Sequence, residues 1–139
     1  MLRDIYVQNT STDHWDEFLS FIRSRGYTFS YKRNGSPADL PGQASTVLSD
    51  RQSAHNLSID IGNAVTLNCH FFESYEIELD LDPKEIGSQA ELVCVLDFLR
   101  DLGSRLAKDV LVTEENSEDL VLMKFDWQSE EFTVRSRPG

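Results

Sequence analysis

The chain has 139 residues, 40% of them apolar, with eight Phe, four Tyr and two Trp, enough for one domain with its own core (residues 1–139) and too much for wholesale disorder. No apolar run approaches the roughly 18 residues that cross a bilayer. The opening Met1-Leu2-Arg3-Asp4-Ile5-Tyr6 places an acid where a secretory signal would be apolar, so a cytoplasmic protein is expected. The net charge of −11 is uneven: residues 1–55 hold six acids and six bases, whereas residues 56–134 hold eighteen acids and five bases. Such a field disfavours nucleic acid and anionic membrane and favours encounter with basic proteins. Acidity that merely keeps a protein soluble is the alternative.

Asp4 to Gln8 reads as a first strand. After the polar Asn9-Thr10-Ser11-Thr12-Asp13, the residues Trp15, Phe18, Leu19 and Ile22 fall on one helical face, and Gly26 is a natural stop. Tyr27, Phe29 and Tyr31 alternate with polar residues up to an Asn34-Gly35 turn. From 36 to 55 the pattern collapses into Pro, Gly and Ser, which predicts a long loop, with a short helix or strand around Thr46-Val47-Leu48 as the alternative.

Leu57-Ser58-Ile59-Asp60-Ile61 alternates cleanly before a Gly62-Asn63 turn. Val65, Leu67, Cys69 and Phe71 form the inward set of the next strand. A tight hairpin at Glu73-Ser74 then leads into Tyr75-Glu76-Ile77-Glu78-Leu79-Asp80-Leu81-Asp82, in which apolar residue and carboxylate alternate four times. In a strand that pattern makes one side apolar and the other a row of acids. Ser88-Gln89-Ala90-Glu91 fits a capping box. Leu92, Val95, Leu96, Leu99, Leu102 and Leu106 continue it as an apolar helical stripe. Val110 to Thr113 is a short strand, 114–119 an acidic connection, and Leu120 to Trp127 a strand that Phe132 to Val134 could pair with. A frayed tail is expected over 135–139.

Strands in a run between two helices predict an α+β fold, an antiparallel sheet of about five to six strands with two main helices packed on one face. The carboxylate row then faces outward. Cys69 and Cys94 read as free buried thiols, with a disulfide between them left open.

Recognisable catalytic chemistry is absent from the sequence. His14, His55 and His70 share no metal-ligand spacing, and adjacent Cys69 and His70 leave a strand on opposite faces, so neither metal nor cofactor is expected. There is no glycine-rich phosphate loop, nucleophile elbow or HExxH. Next-but-one carboxylates on a strand lie about 7 Å apart, within the range of an inverting glycosidase pair. An open sheet face, however, lacks the apolar pocket that raises one pKa.

The helix Leu92–Leu106 running into Lys108-Asp109-Val110-Leu111-Val112-Thr113-Glu114-Glu115-Asn116, followed by an apolar strand, resembles small acidic bacterial immunity proteins of polymorphic toxin systems. The resemblance implies a compact cytosolic inhibitor and carries no binding residue over. The helix and strand order of residues 13–127 is also similar to type III secretion chaperone-like domains, from which the strand at 4–8 and the long loop depart. The expected function is therefore a non-enzymatic, immunity-type inhibitor of a basic toxin such as a nuclease, with Glu76, Glu78, Asp80, Glu114, Glu115, Glu118 and Asp119 as partner-binding residues. The alternatives are a chaperone that binds an extended client and a small hydrolase using a carboxylate pair.

Overall fold

The computed structural model describes residues 2–135. Among them the chain runs β1 (Arg3–Gln8), α1 (Thr12–Ser24), β2 (Thr28–Arg33), β3 (Ser36–Ala38), α2 (Ala44–Leu48), β4 (His55–Gly62), β5 (Val65–Glu73), β6 (Glu76–Leu81), a 3-10 turn (Pro83–Glu85), α3 (Gln89–Leu106), β7 (Val110–Glu114), β8 (Ser117–Asp126) and β9 (Glu131–Val134). The strands form a single sheet in the order β3-β2-β4-β5-β6-β1-β7-β8-β9. Every neighbouring pair is antiparallel. The α+β class and the antiparallel sheet are as predicted. The sheet has nine strands, however, rather than five to six, because the short runs at both margins, β2–β3 and β9, also pair into it.

β1 accounts for this continuity. Its residues pair with β6 on one side (Ile5 opposite Leu79) and with β7 on the other (Ile5 opposite Val112). It thereby joins the β2–β6 meander to the β7–β9 meander. Ile5 and Val7 point inward and are fully buried, as are Ile77 and Leu79 of β6.

The helices bury their apolar stripes against this inward face in one continuous core. Trp15 of α1 stacks on Phe71 of β5, with ring centroids 5.1 Å apart, and its indole Nε1 donates to the Glu73 carbonyl at 3.1 Å. On α3, Phe98, Leu99 and Leu102 are buried, and Phe98 lies 5.8 Å from Phe21 of α1 between ring centroids. Gly26 follows α1 with φ 74°, a conformation that favours glycine.

Segment 36–55 is not a plain loop. Asn34 and Gly35, at φ 53° and 78°, close a hairpin that pairs β3 with β2, and α2 follows. Ala44, Val47 and Leu48 of α2 are buried, and the Ala44 amide donates to the Asp16 carboxylate of α1 at 2.8 Å. A contact from so distant a residue leaves no local trace in the sequence. Residues 114–119 are a hairpin rather than a loose connection: Glu114 ends β7, Glu115 and Asn116 turn with Asn116 at φ 57°, and Glu118 and Asp119 lie in β8.

Smaller corrections have local causes. The β5–β6 turn falls on Ser74-Tyr75, and the β4–β5 turn on Asn63-Ala64, with φ 50° and 62°. Ser88 is the N-cap of α3, but its hydroxyl donates to the Glu91 carboxylate instead of accepting a backbone amide. Cys69 and Cys94 are both free; Cys69 is buried, and Cys94 Sγ is 3.1 Å from Asn63 Nδ2. Arg135 donates its amide to the Leu122 carbonyl at 3.0 Å, and the rest of the expected frayed tail lies outside the described residues. No helix among the described residues is long and apolar enough to cross a membrane.

Gly103 is a point of close approach between α3 and the sheet. A Cβ there would sit 2.6 Å from the Phe125 ring and 3.0 Å from the Lys108 carbonyl, whereas one at Gly87 would meet nothing within 4 Å. Gly103→Ala should therefore cost about 1–3 kcal/mol in urea unfolding, and Gly87→Ala should stay within about 0.5 kcal/mol. Equal midpoints for the two variants would show that the contact yields freely.

Candidate functional site

The outward face at the middle of the sheet is built from the even-numbered residues of β1 and β6. Strand pairing arranges them in three cross-strand rows. Asn68, Asp80, Asp4 and Thr113 form the first, and His70, Glu78, Tyr6 and Leu111 the second. Glu73, Glu76 and Gln8 form the third. The parity argument is thus correct for Glu76, Glu78 and Asp80: all three lie on the same face.

The face is not simply open to water. Asp4 and Tyr6 are 6% and 2% exposed, and Thr113 is fully buried, although they point away from the helices. The reason is the tip of the β7–β8 hairpin, which lies over β1. The Asn116 amide donates to Asp4 Oδ2 at 2.8 Å, and Gln8 Nε2 donates to Glu118 Oε2 at 3.2 Å. Tyr6 sits between Asp4 and Glu78, donating its hydroxyl to Asp4 Oδ2 at 3.2 Å. Burial and the neighbouring Glu78 push the Tyr6 phenol up, so it stays neutral and a donor.

The hairpin tip brings a second carboxylate to the row. Glu76 and Glu118 face one another, and burial followed by the charge of Glu118 pushes the Glu76 carboxyl up to about 7. Glu78 is also raised, chiefly by burial and then by the charge of Asp4, against the lowering effect of the Tyr6 hydroxyl. Asp80 has a hydrogen-bond partner in His70, whose Nε2 is 2.5 Å from Asp80 Oδ2; that hydrogen bond raises the His70 pKa. Glu114 is half-buried and opposite Arg3 in register, Glu115 is half-buried in the turn, and Asp119 is exposed beside the groove between β8 and β9.

The expected residues therefore separate into two sets. Glu76, Glu78, Asp80 and Glu118 converge with Asp4. Glu114, Glu115 and Asp119 flank them on the same hairpin. Arginines are engaged elsewhere, Arg33 with Asp50 at 2.9 Å, Arg51 with Glu73 at 3.0 Å and Arg105 with Glu17 at 2.5 Å. Among the described residues none of the seven expected acids is ion-paired to lysine or arginine.

Sequence reasoning missed Asp4, Tyr6 and His70. The places of Asp4 and Tyr6 follow from β1 inserting beside β6, which no local spacing signals, and that of His70 follows from β5 pairing with β6. A second polar cluster ties down segment 36–55: the Tyr31 hydroxyl is 2.6 Å from His55 Nδ1, and His55 Nε2 donates to the Asp50 carbonyl at 3.1 Å. Among the described residues no group of three or more His, Cys, Asp or Glu is arranged to hold a metal ion.

No family model matches the chain. No curated protein matches it either. Among solved structures, it is similar to a chain of the crystal structure of the toxic C-terminal tip of CdiA from Pseudomonas aeruginosa in complex with immune protein. The two are 9% identical, with 88% of this chain and 93% of that chain covered and a TM-score of 0.49. At that TM-score the likeness carries no argument, and function has to be read from the residues of this chain.

The raised Glu76 and His70 values act on stability in one direction. Each group holds its proton more tightly folded than unfolded. For Glu76 the contribution is complete below about pH 4.5 and is lost as pH rises through about 7. That of His70 is complete below its ordinary value of 6.5 and is lost as pH rises through its higher folded value. Glu76→Gln should therefore raise Tm at alkaline pH by an amount equivalent to about 1 kcal/mol after solvent screening, and leave it unchanged in mild acid. Thermal unfolding across pH checks this; a gain of the same size at every pH would remove the Glu76–Glu118 repulsion as its cause.

Proposed function

We propose that this chain is a protein-binding inhibitor of the immunity type, acting in the cytoplasm, whose acidic outer face covers the basic surface of a toxin such as a nuclease. One observation supports it above the others. Within residues 56–134, which hold eighteen acids and five bases, the half-buried Glu76, Glu78 and Asp80 converge with the exposed Glu118, and none of these four has a lysine or arginine counter-ion among the described residues. Facing carboxylates of this kind destabilise the protein that carries them, and a cationic partner would turn that repulsion into attraction and a faster encounter.

Co-expression with the protein encoded by the adjacent gene, followed by calorimetric titration of the purified pair, is the direct test. The double variant Glu76→Lys, Glu78→Lys should weaken binding at least about tenfold and flatten its dependence on salt. Unchanged affinity and unchanged salt dependence would overturn the proposal.

A second reading has one observation in its favour. A glutamate whose pKa is near 7 beside another carboxylate is the arrangement a general acid–base pair requires. Hydrolysis of a glycoside substrate that is abolished by Glu118→Gln would favour a hydrolase over an inhibitor.

A further inference from the structure

The middle of the outer face carries aromatic surface as well as charge. Phe72 and Tyr75, at the end of the β5–β6 hairpin, are 57% and 60% exposed. Phe72 stacks on His70 with ring centroids 5.3 Å apart and planes 5° from parallel. The stack is fixed from behind by the contact of His70 with Asp80, and the backbone beneath it by Arg51, which donates to the Phe72 carbonyl at 2.6 Å. The result is a flat aromatic platform that keeps its orientation while much of Phe72 remains in water.

Carboxylates border that platform. Glu78 lies directly across from His70, and Glu76 across from Glu73. Arg51 also pairs with Glu73 at 3.0 Å, so Glu73 is already neutralised. Glu76 and Glu78, on the strand paired with His70 and Glu73, have no lysine or arginine partner among the described residues. The facing charges are thus Glu73, Glu76, Glu78 and Asp80, with Glu118 from the β8 side, against Arg51 and His70.

We propose that Phe72 is the anchor of the docking face, and that it receives an arginine side chain of a basic partner, its guanidinium stacked on the aromatic surface and its N–H groups donated to Glu76 and Glu78. This rests on the reading of the acidic face as a partner surface and adds to it the side chain that is recognised. A planar guanidinium can lie flat on a ring and present several donors at once, whereas an ammonium is a compact, strongly hydrated point charge. A second copy of this chain would bring like charge against like charge on a protein of net −11. Nucleic acid and an anionic membrane are repelled for the same reason. A purely apolar segment would leave the bordering carboxylates desolvated without a partner.

The test titrates the full chain, near neutral pH and at low salt, with capped hexa-arginine and hexa-lysine peptides. Calorimetry reads affinity and amide chemical shifts read location. Hexa-arginine should bind about fivefold more tightly than hexa-lysine, with shifts concentrated over residues 70–78. Phe72→Leu, which keeps apolar bulk and removes the ring face, and Phe72→Ala with Tyr75→Ala should each bring hexa-arginine down to the hexa-lysine level. Phe29→Ala, on β2, should leave the preference intact, and all variants should retain the wild-type circular dichroism. Equal affinity for the two peptides, or an arginine preference indifferent to Phe72→Leu, would overturn the anchor while leaving the acidic face to the charge-reversal test. Failure of both peptides to bind would overturn the anchor and count against the acidic face as well.

Discussion

The structure depends on one insertion: β1 threads between β6 and β7 and hydrogen-bonds to both. Without it the sheet would divide into two meanders, each with an open edge that invites pairing with another chain. Ile5 and Val7 close the core on the inner side. On the outer side, Asp4, Tyr6 and Gln8 are placed between the carboxylates of β6 and the tip of the β7–β8 hairpin. One short strand therefore makes the sheet continuous and assembles the charged face.

That face owes its character to opposing demands. Six antiparallel partners of β1 and β6 fix where the even-numbered side chains point, and the hairpin tip then limits how much water reaches them. The fold answers the crowding of carboxylates by raising the proton affinity of Glu76 and Glu78, by keeping Tyr6 neutral and by lending His70 to Asp80. These are partial remedies: Arg51 pairs with Glu73 at the margin of the face, and Glu76, Glu78 and Glu118 keep no lysine or arginine partner among the described residues. A surface left in that state is better suited to a cationic partner than to isolation in water.

Much of this was legible in the residues themselves. The apolar spacing of Trp15, Phe18, Leu19 and Ile22, and of Val95, Leu99, Leu102 and Leu106, marks two helices that the core confirms. The alternation from Tyr75 to Asp82 marks which acids share a face. Features stabilised by distant contacts were legible only in part: the composition of 36–55 favours a loop and leaves a short helix or strand around Thr46-Val47-Leu48 as the alternative, which is where α2 forms. α2 is five residues long and takes part of its capping from Asp16, and β3 is three exposed residues paired with β2. The charges of 114–119 suggested a solvated connection, yet a strand end with outward acids has the same composition. The burial of Asp4 could not be inferred, since parity alone would have left it in water.

The same insertion has a consequence for how the chain reaches its native state. β1 precedes both of its neighbours along the polypeptide, and the residues it must meet lie at 76–81 and 111–114. During synthesis it therefore waits for β6 before its first edge can pair, and for β7 before its second edge can. Pairings so remote in sequence slow the search for the native topology, and the waiting strand is the segment that a holding chaperone would most usefully shield.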